Sequence, residues 1–125
     1  MLSEGYGSKV WFIADGYYPI HSSGQFPSHE AICVLNPGKH DAKIEITLYF
    51  EDRKKMGNFW VICPAERTNH IRMDQLKNEK GDGVPPGVPY AMVVVSNTEI
   101  IVQYSRMDTT QAEMALMTTM GYPLK

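Results

Sequence analysis

Little in this chain points away from an ordinary soluble domain. Its 125 residues include two cysteines, with no Cys-x-x-Cys pair and no cysteine–histidine array. That offers no zinc-finger spacing, and a disulfide between the two would need neighbouring strands with the right Cβ geometry. Cys33 and Cys63 each lie inside an apolar run, so they read as free, buried thiols of a reducing compartment. Neither sign of charge is in excess, since 12 Lys and Arg against 14 Asp and Glu leave −2. Such a chain has no general positive field for nucleic acid or anionic membranes. No apolar run is long enough to span a bilayer, and Met1-Leu2-Ser3-Glu4-Gly5 lacks the charged and apolar regions of a signal peptide. Ser22, Ser23 and Ser28 lie near His21 and His29, but no Gly-x-Ser-x-Gly elbow accompanies them. A soluble, cytoplasmic, non-catalytic protein without cofactor or metal is the expectation.

What is present is strand signal. At 43% hydrophobic residues the chain can bury one real core, which makes it a single domain over 1–125. Lys9–Ala14 reads as a strand stopped by Asp15-Gly16, and Glu30–Leu35 as a second, closed by Asn36-Pro37-Gly38. Tyr17 to Ser28, with two Pro, one Gly and three Ser, reads as a loop. In Ala42–Glu51, Ile44, Ile46, Leu48 and Phe50 alternate with Lys43, Glu45, Thr47 and Tyr49, the pattern of a sheet with one wet face. Asp52–Gly57 predicts a charged hairpin loop, Asn58–Cys63 a strand ended by Pro64, and Met73–Leu76 one helical turn. Asn78–Pro89 is too rich in Gly and Pro for regular structure. Tyr90–Val95 and Glu99–Ser105 predict two strands joined by a tight hairpin at Ser96-Asn97-Thr98. Asp108-Thr-Thr-Gln111 resembles a capping box, so Ala112–Met120 predicts a short helix or a partly ordered arm. About seven strands imply an all-β, antiparallel β-sandwich or jelly-roll-like domain.

One strand is unusual. Ala65–Arg72 brings Arg67, His70 and Arg72 within six positions. Alternation sets Thr68, His70 and Arg72 on one face and Arg67, Asn69 and Ile71 on the other. Long cations beside an imidazole serve no core and suit recognition of something polar or anionic.

Several separated motifs carry a resemblance. They are Trp11 with Ile13-Ala14-x-Gly16-Tyr17; Ser28-His29-Glu30; Val34-Leu35-Asn36-x-Gly38; and Ile44-Glu45-Ile46-Thr47-Leu48-Tyr49. Pro64-Ala65-x-Arg67-Thr68-x-His70-x-Arg72, Ser96-Asn97, Ile101-Val102-Gln103-x-x-Arg106-x-Asp108 and Gln111-Ala112-Glu113 follow in order. With these the chain resembles the sensory rhodopsin transducer family. The resemblance implies a cytoplasmic β-sandwich assembled as a homotetramer, without known catalysis. Its type member couples to a membrane photoreceptor and has been credited with DNA binding. The wider superfamily looks like small-molecule binding domains for sugar-like or nucleoside-like ligands.

The expected ligand-binding residues are His29, Glu30, Arg67, His70, Arg72, Gln103, Arg106 and Trp11. Each has a second reading. Arg67, His70 and Arg72 suit ligand binding or ion pairing in an oligomer interface. His29 with Glu30 or Asp15 suits an acid–base pair or a satisfied structural histidine. Zinc on His29, His70 and a carboxylate has no diagnostic spacing. Gln103, in mid-strand, would donate to a ligand or across a sheet, and it faces away from Arg106. Trp11, Tyr17 and Tyr18 would stack on a sugar or base, or fill the core. Tyr49, Trp60 and Tyr104 exceed what one small sandwich hides and predict interfaces. Met114, Met117 and Met120 with Leu116 suggest instead an adaptor acting through a C-terminal arm, 108–125. DNA binding is expected to be weak or absent, through Arg53-Lys54-Lys55 if anywhere.

Overall fold

A computed structural model describes residues 6–20, 29–108 and 115–125. Among these residues there are eight strands: β1 Ser8–Tyr17, β2 His29–Asn36, β3 Ala42–Phe50, β4 Met56–Cys63, β5 Arg67–Arg72, β6 Pro89–Asp108, β7 Ala115–Met120 and β8 Tyr122–Pro123. A 3-10 turn, Met73–Gln75, follows β5, as the sequence predicts. All pairings are antiparallel, and no helix is long and apolar enough to cross a membrane among the described residues.

The strands form two leaves that share β6. Leaf one runs β4-β3-β6-β1-β8. Leaf two runs β5-β2-β6-β7. The first half of β6 pairs with β3 from Tyr90 to Ser96, and the second half pairs with β2 from Ile101 to Met107. The expected hairpin at Ser96-Asn97-Thr98 is therefore absent. The chain bends there and passes from one leaf to the other, as corner strands of packed sheets do. Asn97, read as a turn residue, instead accepts the Lys43 amide with its side-chain oxygen at 2.8 Å, and Ser96 Oγ accepts the Thr98 amide at 3.3 Å. Opposite the bend, the β1 register jumps from Val10↔Val95 to Ser8↔Ile100.

The C-terminal expectation is also corrected. Residues 115–120 are strand β7, paired with β6, and not a helix. The proposed capping box falls mostly outside the described residues, and Asp108 itself ends β6. Good helix formers yield here because a free edge of leaf two offers backbone partners that a short isolated helix lacks. Gly121 then carries the chain from leaf two to leaf one. Its amide donates to Val102 O at 3.1 Å, and a Cβ at that position would lie 3.1 Å from the Trp11 ring.

The core lies between the leaves. Ile44, Ile46 and Leu48 from β3, Phe59 from β4, Ile32 and Val34 from β2, and Val94, Ile100 and Val102 from β6 are buried there. Each such side chain contributes about 1.5–3 kcal/mol. Asn36 is buried among them, with Nδ2 donating to His40 O at 2.8 Å and Cys63 O at 3.0 Å. It joins the β2–β3 turn to the β4–β5 corner. Cys63 is buried as expected, and burial pushes its thiol pKa up, whereas Cys33 is half-buried; neither forms a disulfide.

Candidate functional site

Cross-strand register decides which of the predicted residues meet, because directly opposed residues of an antiparallel pair share a face. Ala31 stands opposite Arg72 and Ser105, Cys33 opposite His70 and Gln103, and Leu35 opposite Thr68 and Ile101. His29 stands opposite Met107. His29, His70, Arg72 and Gln103 thus share the outer face of leaf two. His70 and Gln103 flank β2, roughly 10 Å apart at two strand spacings. Between them lies Cys33, whose Sγ is 3.9 Å from Ser105 Oγ. Arg72 forks onto Asp74, with Nε to Oδ1 at 2.8 Å and a terminal nitrogen to Oδ2 at 2.7 Å. That pairing spends one side of the guanidinium and leaves the remaining N–H groups for other acceptors.

Glu30 and Arg106 face the other way. Glu30 is 1% exposed and stands opposite Arg106. Its Oε1 accepts the Tyr90 hydroxyl at 2.6 Å, and its Oε2 accepts the Tyr17 amide at 2.6 Å and the Tyr104 hydroxyl. Burial raises both phenol pKa values, and the adjacent Glu30 carboxylate raises them further. Both stay protonated and donate at ordinary pH. A Cβ on Gly16 would lie 2.7 Å from the Tyr90 ring, so glycine lets that ring reach the carboxylate. Arg106 lies 4.0 Å from Asp15.

The remaining predicted residues stand apart. Trp11 is buried in the core, and its Nε1 donates to Ser8 O and Ile100 O, each at 3.0 Å. Arg67 is exposed at the start of β5 and donates to Glu66 O at 3.0 Å. His29 and Glu30 project from opposite faces of β2 and so do not form an acid–base pair. Among the described residues, no group of three or more His, Cys, Asp or Glu is placed to hold a metal. His21, Ser22, Ser23 and Ser28 lie outside the described residues.

Tyr90 and Tyr104 escaped sequence reasoning as members of the inner cluster, and Asp15, read as a possible partner of His29, lies instead near Arg106. Tyr104 is corrected from an interface aromatic to a fully buried one. The signal was available, because Tyr104 shares parity with Val102 and a phenol on a buried face needs an acceptor. Tyr49 and Trp60 are exposed as expected, and with Phe12, Ile62, Val95 and Tyr122 they stud the outer face of leaf one.

Comparison with known proteins follows the same lines. A family model described as Anabaena sensory rhodopsin transducer matches residues 6–123. The crystal structure of Thermotoga maritima 1070 is 37% identical, with a TM-score of 0.86 over 96% of this chain and 97% of that one. The Anabaena sensory rhodopsin transducer is 38% identical, with a TM-score of 0.70 over 78% of this chain and 96% of that one. No curated protein matches the chain.

Proposed function

The chain belongs to the sensory rhodopsin transducer family, and we propose that it is a non-catalytic signalling module that binds a small polar or anionic ligand on the outer face of leaf two. One observation carries this reading: His29, His70, Arg72 and Gln103, drawn from three strands, share that face around Cys33 and Ser105. A cation, two imidazoles and an amide, spread over two strand spacings and about 13 Å along β2, match the hydroxyls and anionic groups of a sugar-like or nucleoside-like molecule. Glu30 and Arg106 support this face from behind. Arg67 and Trp11 lie apart from this face.

Signalling requires a partner, and the name of the Anabaena relative supplies its class, a sensory rhodopsin. The protein works in the cytoplasm as a homotetramer, with other copies covering Tyr49, Trp60 and Ile62 at the β3–β4 side of the outer face of leaf one. Light scattering at micromolar concentration is expected to give four times the chain mass, and a monomer would reject assembly. A second reading, an adaptor acting through 108–125, is favoured by the exposure of Leu116, Met117 and Met120 on β7. DNA binding is weak at most. Arg53 forks onto Asp52 and lies over the Phe50 ring, so part of the Arg53-Lys54-Lys55 loop is already engaged.

A thermal-shift screen of sugars, nucleosides and anionic metabolites tests the ligand. A ligand at about a hundred times its Kd stabilises the fold by roughly 2.7 kcal/mol. The shift is expected in the wild type and not in Arg72→Ala. Equal shifts in both, or none in either, would remove the ligand face from the account.

A further inference from the structure

Strand β7 pairs only with β6 among the described residues. The Gly121 amide donates to Val102 O, which makes these two a hydrogen-bonded antiparallel pair. Met120 stands one step earlier, opposite Gln103. Alternation then turns the amides and carbonyls of Met120, Thr118 and Leu116 away from β6. They form a rail of backbone groups on the edge of leaf two, paired with no strand among the described residues. Edge strands are normally guarded by charge, proline or a bulge. The run Ala-Leu-Met-Thr-Thr-Met has no charge and no proline, and its register with β6 is unbroken.

A groove of about 650 Å³ runs beside the rail, lined by Phe12, Ile13, Asp15, Met117, Met120 and Tyr122 among others. It exists because β8 covers β1 only at Trp11 and Phe12, so the leaves separate beyond Gly121. Asp15 supplies the charge on this lining; its side chain is 78% exposed and 4.0 Å from Arg106. Arg106 stands opposite Met117, which sets the acid level with the middle of β7.

We propose that β7 and this groove dock an extended, apolar–basic segment of a partner protein, which adds a strand to the edge of leaf two. This rests on the adaptor reading of 108–125 and adds to it the docking mode and the partner's chemistry. Strand addition draws affinity from main-chain hydrogen bonds and specificity from alternate side chains. One set of alternate side chains enters the groove against Phe12, Met117 and Tyr122. Among them, a lysine or arginine meets Asp15. The other set continues the outer face beside Leu116, Thr118 and Met120.

The test uses the full chain and a random octapeptide library displayed on phage. Recovered peptides, made synthetically, are expected to alternate apolar residues and to carry one basic residue. Thr118→Pro removes an outward amide without touching the β6 ladder, a change that edge strands tolerate. It is expected to weaken binding by about tenfold, the worth of one lost hydrogen bond. Thr118→Val, which keeps the amide, is expected to bind as the wild type does. Asp15→Lys is expected to switch the preferred charge in the peptide from basic to acidic. In the wild type, bound peptide is expected to slow hydrogen exchange at Leu116, Thr118 and Met120, a readout independent of any variant's folding. Binding that survives Thr118→Pro but is lost in Met117→Asp would overturn strand addition and leave the adaptor reading standing. No selected peptide at all would overturn both. A concentration-dependent dimer abolished by Thr118→Pro would assign the edge to a second copy and overturn the peptide partner.

Discussion

His29 and Glu30 are neighbours in the chain, and the two faces of β2 give them opposite fates. Glu30 turns inward, where two hydroxyls and an amide saturate its carboxylate. His29 turns outward onto the face that also bears His70, Arg72 and Gln103. Both sets are polar residues on strands that otherwise supply core. The inner set is satisfied within the chain and holds β1, β2 and β6 together. The outer set lies on the outer face of leaf two, where Arg72 pairs with Asp74 and His70 is exposed. One residue of register separates a structural network from a candidate recognition surface.

The sharpest way to break this contrast is to remove Glu30. Glu30→Leu leaves two phenols and the Tyr17 amide without their acceptor, and a loss of about 3–5 kcal/mol is expected. Urea unfolding measures it. Glu30→Gln keeps the shape and is expected to cost less. A loss below about 1 kcal/mol for Glu30→Leu would mean that the inner cluster is not structural.

Alkaline pH separates the two faces next. Burial and Glu30 raise the folded pKa of Tyr90 and Tyr104 above the ordinary unfolded value of about 10. The folded state therefore holds these protons more tightly than the unfolded state. The stabilisation is complete below about pH 10 and is lost as pH climbs from there toward the folded values. Each tyrosine is expected to steepen the loss by about 1.4 kcal/mol per pH unit. Urea midpoints between pH 8 and 11 should show a shallower fall in Tyr90→Phe. The same slope in both proteins would contradict the buried hydrogen bonds.

Much of the fold is legible in the sequence, because Ile44, Ile46 and Leu48 alternate cleanly and Asn36-Pro37-Gly38 punctuates clearly. The passage of β6 between leaves is not. Ser96-Asn97-Thr98 carries hairpin chemistry, yet each half of β6 finds different long-range partners, and those override the local signal. The end of the chain is hidden for a similar reason. Leu116 to Met120 suits a helix by propensity, and only the vacant edge of leaf two makes it a strand. For the site, composition shows that polar residues sit on strands, and alternation within β5 places Thr68, His70 and Arg72 on one face. Which face of β2 and β6 meets them depends on cross-strand register, which no single strand contains.

Arg72 sharpens the comparison from the outside. Its partner Asp74 is a near neighbour in the chain, and the pair sits at a partly exposed site. Such pairs are worth up to about 1 kcal/mol, so Arg72→Ala should unfold close to the wild-type urea midpoint. Its ligand-induced thermal shift should nevertheless vanish. A loss near that of Glu30→Leu would move Arg72 from the recognition face to the structural network.

His70 gives the smallest effect on stability and the cleanest separation of roles. It is exposed on β5, opposite Cys33, and among the described residues the edge strand β5 has only β2 as its sheet neighbour. Replacing an exposed side chain away from the core usually changes stability by within about 0.5 kcal/mol. His70→Ala is therefore expected to match the wild type in urea while weakening any ligand that shifts the wild-type melting temperature. If a ligand makes one hydrogen bond to the imidazole, its affinity should fall by about tenfold. Weakened binding with an unchanged fold places His70 on the recognition face. Unchanged binding would confine that face to His29, Arg72 and Gln103, and the ligand would then lie across β2 and β6 without reaching the centre of β5.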